Sequence, residues 1–135
     1  MSQESTREQL VAQYTLLARL AEEARRRIEL FNDTINDIAN ARRAVEEIAA
    51  SEGEIKILVP LGSGVLAKAV IVDKERFLVN IGANVVVEKT FEAAQRLLEY
   101  REKSIREALQ RQVSEYQAIM AKLAELEQMI QASQG

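Results

Sequence analysis

The chain has no cysteine, no histidine and no tryptophan, a single proline and five glycines, and only 4% of its 135 residues are aromatic. Without cysteine there are no disulfides or thiolate nucleophiles, and without histidine there are no imidazole bases and few routes to a zinc site. An enzyme built from this alphabet would rest on carboxylates, lysine, tyrosine or serine, and these nowhere form a convergent constellation. No catalytic residue, metal ligand or cofactor is therefore expected, and the chain is not read as an enzyme. No run approaches the ~20 apolar residues of a membrane helix, and the polar stretch Met1–Arg7 lacks the apolar core of a signal peptide. A cytoplasmic, membrane-free protein is the expectation, compatible with the absence of cysteine. A basic surplus is also missing: 18 basic residues against 21 acidic ones leave a net charge of −3, interleaved along the chain, which argues against nucleic acid as a partner. The small clusters Arg25-Arg26-Arg27 and Arg42-Arg43 have Glu22, Glu23 and Glu29 around the first, at helical pairing distance, and read as a solvated or subunit-contacting face.

What the chain does have is two long heptad-patterned arms around a β-rich centre. In the first arm Leu10, Tyr14, Leu17, Ala21, Ala24, Ile28, Phe31, Ile35, Ile38, Val45 and Ala49 step by fours and threes, interrupted only by Arg42. In the last arm Phe91, Leu98, Ile105, Leu109, Tyr116, Ile119, Leu123, Leu126 and Ile130 follow the same repeat, with Gln95, Glu102 and Gln112 as polar members. A repeat of about 3.5 residues keeps one seam facing a partner helix along its length. About 45 helical residues would span roughly 65–70 Å. Ser5 with Glu8 fits a capping box at the start, Gly53 fits a left-handed stop, and Thr90 fits the N-cap of the second arm. Two such helices on one chain are expected to fold back as an antiparallel coiled coil, its register set by the polar seam members.

The centre, residues 54–89, divides into β-branched runs 54–60, 65–72, 77–81 and 85–88. Turn signals separate them at Leu61-Gly62-Ser63-Gly64, Asp73–Arg76 and Gly82-Ala83-Asn84. Two successive β-hairpins follow. Their alternation is poor: Val65, Ala67, Ala69 and Ile71 point one way and Leu66, Val70 and Val72 the other, with Lys68 the lone charge. A strand apolar on both faces needs cover on both. The pattern therefore points to an assembly module that joins sheets of other subunits, through Val59, Leu61, Val65, Val70, Val72, Val79, Ile81, Val85 and Val87. A self-contained sheet packed on the helix ends is the plainer reading. Gly62-Ser63-Gly64-Val65-Leu66-Ala67 matches a dinucleotide-binding fingerprint, but that fingerprint opens a helix and here a strand follows, so the glycines are turn glycines.

Near the two chain termini the apolar content exceeds what one seam needs. Val11 and Leu16 accompany Leu10, Tyr14 and Leu17, while Met120 and Met129 accompany Ile119, Leu123, Leu126 and Ile130. Two readings stand side by side on the pattern alone: a wet, adaptable contact surface, or a wider contact between the helices.

A helix, then Val59-Pro60-Leu61-Gly62 with Gly64, then Asp73, Ile81-Gly82, Glu88-Lys89 and a helix carrying Ala93-Ala94, resembles the α-type subunit of the prefoldin family. The turn after Gly82 departs from the family pattern in having Ala83-Asn84, with asparagine the next best residue after glycine for a left-handed backbone. The resemblance implies an α+β fold: a long antiparallel coiled-coil hairpin with two central β-hairpins contributing to an oligomeric β-barrel platform. It divides a single domain over 1–135 into an N-terminal coiled-coil helix (5–52), the hairpins (54–89) and a C-terminal coiled-coil helix (90–131). It further implies an ATP-independent holdase chaperone in which two α-type and four β-type subunits form a hetero-hexamer. Its coiled-coil tips hold unfolded clients and deliver them to a group II chaperonin. Under that resemblance the candidate client contacts are Leu10, Val11, Tyr14, Leu17, Ile119, Met120, Leu123, Leu126 and Ile130. A prefoldin-like filament or scaffold subunit, polymerising through the same hairpins, is the alternative.

Overall fold

A computed structural model describes residues 3–133. Helix α1 (Gln3–Ala50) is followed by strands β1 (Ile55–Gly62), β2 (Val65–Ile71), β3 (Arg76–Gly82) and β4 (Val85–Thr90), and then by helix α2 (Phe91–Ala132). Neither helix contains glycine or proline, and both are rich in alanine, leucine, glutamate and arginine, the residues that lose least on entering a helix. The fold is the expected α+β combination of two long helices and two antiparallel hairpins.

The chain divides into two compact units, and each contains a stretch of both helices. One unit takes in the described residues up to Ile35 and from Ser104 onward. Its core is the seam foreseen from the heptads: Ala21, Ala24, Ile35, Leu123 and Leu126 are buried, and Leu126 is 1% exposed. Leu10, Tyr14, Leu17, Ile28, Phe31, Ile105, Leu109, Tyr116, Ile119 and Ile130 are half-buried. Arg27 Nε donates to Gln112 Oε1 across the pair at 2.9 Å, and Gln112 Nε2 continues to Glu115 at 3.1 Å. The second unit, Asn36–Lys103, holds both hairpins and the adjoining helix segments. There Ile38 and Ala94 are buried. Arg42 pairs with Glu99 at 3.1 Å and Glu102 at 3.6 Å, and Gln95 Nε2 donates to the Arg42 carbonyl at 3.2 Å. The polar seam members thus bond across the helix pair within each unit, in one antiparallel register. Bonds of this kind cost some stability relative to apolar packing but reward a single alignment.

Two helix ends differ from their sequence-based reading. Helix α1 is already formed at Gln3, so Ser5 lies inside its first turns rather than capping it. Its other end stops at Ala50, and Gly53 is not among the glycines of positive φ. The Ser51 N–H closes the last turn on the Ile48 carbonyl at 3.3 Å, and beyond it the Lys74 ammonium donates to the carbonyls of Ser51, at 3.4 Å, and of Gly53. Thr90 does cap α2, its Oγ1 accepting the Ala93 N–H at 3.3 Å.

Each hairpin is a separate two-stranded antiparallel sheet. The two share one construction. In both, the register shifts one residue before the turn, between Pro60 and Gly62 in the first and between Asn80 and Gly82 in the second. Three successive residues then take positive φ: Gly62, Ser63 and Gly64 at 113°, 50° and 79°, and Gly82, Ala83 and Asn84 at 117°, 49° and 61°. Positive φ at both central residues is the primed turn that matches strand twist. Asn84 fills its place as expected, and Ala83 bears the strain, because its Cβ crowds the backbone in the left-handed region. The bulge draws Leu61-Gly62 into β1, which the sequence assigned to the turn.

Strand alternation is uneven. In the first hairpin Ala67, Ala69 and Ile71 of β2 are half-buried between the exposed Leu66, Lys68 and Val70, whereas β1 is exposed throughout after Ile55, Ile57 and Val59 included. In the second, Phe77, Val79, Val87 and Lys89 are half-buried, with Arg76, Leu78, Asn80, Val86, Glu88 and Thr90 outside. A cleft there is lined by Phe77 and Val79 together with Ala41, Val45, Ala94 and Leu98, so the second hairpin lies against the helices of its unit.

Two stability measurements follow. Replacing Ala83, at φ 49°, with glycine relieves left-handed strain and is expected to raise unfolding stability by roughly 1 kcal/mol, read as a higher denaturation midpoint. Leu126→Ala opens a cavity in a closed seam and is expected to cost roughly 2–5 kcal/mol, while Met129→Ala, three residues on and exposed, changes the midpoint little.

Candidate interaction surfaces

The apolar residues that the fold leaves outside define two surfaces, one in each unit. In the unit built from the chain termini, a helix pair buries one stripe of each helix, and any apolar side chain off that stripe remains in water. Val11, Leu16, Leu20, Met120 and Met129 are such residues, with Val11 at 44% and Met120 at 43% exposure. The nine candidates drawn from the sequence separate by heptad position. Val11 and Met120 are exposed; Leu10, Tyr14, Leu17, Ile119 and Ile130 are half-buried along the seam; Leu123 and Leu126 are buried within it. Leu123 and Leu126 hold the helices together, and in the closed pair neither presents a face to a partner. Leu20 escaped the sequence reading, although its off-seam position one turn after Leu16 marks it.

The surface around these residues is charged in small islands. Arg25 bonds Glu22 at 2.8 Å and reaches Glu29 at 3.4 Å, which holds the Glu22 carboxyl below the ordinary carboxylate range and the Arg25 guanidinium firmly protonated. The arginine cluster is therefore largely satisfied by its own helix, in line with the solvated-face reading. Among the described residues no group of three or more acidic side chains is arranged to hold a metal ion, and no helix is long and apolar enough to cross a membrane.

The second surface is formed by the hairpins and takes in both faces, since Val59 pairs with the half-buried Ala67 and Leu58 with the exposed Lys68. Of the nine assembly candidates, Val59, Leu61, Val65, Val70, Val72, Ile81 and Val85 are exposed. Val79 and Val87 are half-buried, and Val79 lines the cleft beside the helices. The sequence reading overlooked Leu58 and Leu78, 61% and 73% exposed, which occupy equivalent places in the two hairpins and face the same way as Leu66 and Val86. A two-stranded hairpin with large aliphatic side chains on its open face has neither the size nor the cover to be a finished structure.

Comparison with known proteins names this arrangement. The sequence profile described as "Prefoldin subunit" matches residues 17–135. Prefoldin subunit alpha of Thermofilum pendens is 34% identical over 125 residues, covering 93% of this chain and 97% of the relative. Prefoldin subunit alpha of Pyrococcus horikoshii is 33% identical over 124 residues, covering 91% and 79%. A cryo-EM structure of filamentous PFD from Methanocaldococcus jannaschii shares the fold, with a TM-score of 0.70 at 20% identity, covering 90% of this chain and 98% of that one. Long seam-forming helices, paired hairpins with open aliphatic faces and these likenesses together place the chain in the prefoldin family of chaperone subunits, as a subunit of the α type.

Proposed function

We propose that this chain is the α-type subunit of an ATP-independent holdase, joined to β-type subunits through its hairpins and gripping non-native polypeptides with the helix pair formed by its two termini. The observation that supports the reading most is the set of off-seam aliphatic and methionine side chains, Val11, Leu16, Leu20, Met120 and Met129, left in water on helices that already have a closed seam. Non-native chains offer apolar segments of no fixed shape, and flexible methionines adapt to them better than a rigid pocket does. Weak contacts repeated on several arms of an assembly add up to useful avidity and still allow release. The assembly is a hexamer of two α-type and four β-type subunits whose hairpins close into a barrel platform. Clients pass from it to a group II chaperonin in the cytoplasm.

The joint is tested with Leu58→Glu together with Leu78→Glu, at positions exposed in the free chain. Mixed with β-type subunits, the wild-type chain is expected to yield a closed hexamer by mass measurement. The variant is expected to stay as separate subunits of undiminished helicity, because a buried unpaired carboxylate is costly. An open-ended ladder in place of the hexamer would identify a filament subunit, and a hexamer formed equally well by the variant would move the joint away from the hairpins.

Client binding is tested on the assembled complex carrying Val11→Ser, Leu16→Ser, Met120→Ser and Met129→Ser. These residues lie off the seam, so mass and thermal midpoint are expected to hold. Suppression of aggregation of a chemically denatured protein, measured without nucleotide, is expected to fall several-fold, in keeping with the loss of most of the apolar contact area. Undiminished protection would place client binding elsewhere.

A further inference from the structure

The two hairpins are built alike but anchored differently. Hairpin two is carried by the helices: Phe77 and Val79 lie beside Ala41, Val45, Ala94 and Leu98, Arg101 Nη2 donates to the Asn80 carbonyl at 2.7 Å, and β4 runs into α2 without a linker. Hairpin one hangs between two short linkers, residues 51–54 and 72–75. Among the described residues, no hydrogen bond runs from its strands to either helix.

The second linker is itself rigid. Asp73 Oδ1 accepts the N–H groups of Glu75 at 2.9 Å and Arg76 at 3.1 Å, forming a tight side-chain turn, and the Glu75 carbonyl accepts the Phe91 N–H at 3.2 Å. Lys74 projects from this fixed turn. It lines a groove together with Ala49, Glu75, Thr90, Phe91 and Glu92, where α1 ends and α2 begins. Its ammonium binds the Ser51 and Gly53 carbonyls of the other linker. Ser51 Oγ also donates to the Gly53 carbonyl, at 3.4 Å.

We infer that Lys74 is a latch that closes the base of hairpin one, fixing the direction in which that hairpin leaves the helices, while hairpin two is held by packing and by Arg101. One charged side chain ties together the only two strands of backbone by which hairpin one is attached. Hydrogen bonds from an ammonium to carbonyls are among the stronger ones available at a partly exposed site. With the latch open, hairpin one becomes an isolated two-stranded ribbon, marginal in water. On the assembly reading proposed above, the closed latch presents hairpin one to a neighbouring subunit in one fixed orientation.

The test is amide hydrogen exchange on the full, unassembled chain, which reads the latch independently of whether the hairpins join subunits. Lys74→Met keeps the apolar stem and removes the donors. Exchange of β1 and β2 amides is expected to quicken roughly tenfold, from the loss of charge-assisted bonds, with β3 and β4 unchanged. Lys74→Arg, which retains donors and charge, is expected to preserve most of the protection. Arg101→Met is expected to show the reverse pattern, quickening β3 and β4 alone. Overturning results are exchange in β1 and β2 that Lys74→Met leaves at the wild-type rate, or an equal rise in both hairpins. If the latch behaves as stated but hexamer formation ignores the Leu58 and Leu78 substitutions, the assembly reading fails and the latch stands.

Discussion

Two helices can bury only one stripe of each other, and everything else about this subunit depends on that limit. A globular domain wraps several layers around a shared core, whereas a helix pair has no third layer. The stripe here is narrow and partly alanine: Ala24 is completely buried, yet its burial removes little apolar area from water. Leucine, valine and methionine side chains off the stripe have nowhere to go within their own unit. The hairpins face the same limit, since a two-stranded sheet offers two faces and the helix segments lie against one face of the second hairpin. The open aliphatic surface is therefore a geometric consequence of the architecture.

The polar members of the seam solve a different problem. An aliphatic seam of nearly uniform repeat can slip by a heptad at little cost, and a slip would mismatch the ends of the helices. Arg42, with Glu99, Glu102 and Gln95, and Arg27, with Gln112, mate only at one alignment within their units. Arg42 contributes less stability than a leucine would, but a shifted register would leave its guanidinium desolvated without an acceptor. Register matters for the hairpins as well, because β4 runs directly into α2 and any slide of that helix would carry hairpin two along.

Much of this was legible beforehand because periodicity reports directly on burial. The heptad members lie in the seam, the four strands fall within two residues of their expected ends, and Thr90 caps where its position suggested. The misreadings share a cause: local signals were trusted where a distant residue decides. Gly53 reads as a left-handed helix stop, but α1 ends three residues earlier and the linker that follows is held by Lys74, whose reach has no signature in a local window. Ser5 looked like a cap because Glu8 stood three residues later, yet the helix continues through it. Leu123 and Leu126 were grouped with the contact residues by nearness to the terminus, although their heptad positions already assigned them to the seam. Val79 and Val87, named among the assembly residues, are half-buried, because strand parity fixes alternation but not which face meets the helices.

An exposed apolar surface raises the question of why the chain does not simply aggregate. Each of the off-seam residues has charge within a helical turn: Val11 lies beside Arg7 and Glu8, Leu16 and Leu20 flank Arg19, Met120 precedes Lys122, and Met129 follows Glu125 and Glu127. A second folded, rigid surface would have to desolvate these charges to reach the apolar side chains between them, which is costly. A flexible chain has no such constraint, because it can thread its apolar side chains into separate islands one at a time and leave its polar residues beside the charges. On the proposed function, selectivity for non-native polypeptides over folded ones needs no pocket and no nucleotide-driven change. It follows from setting apolar side chains among charges, where a disordered partner can reach them without desolvating the charges.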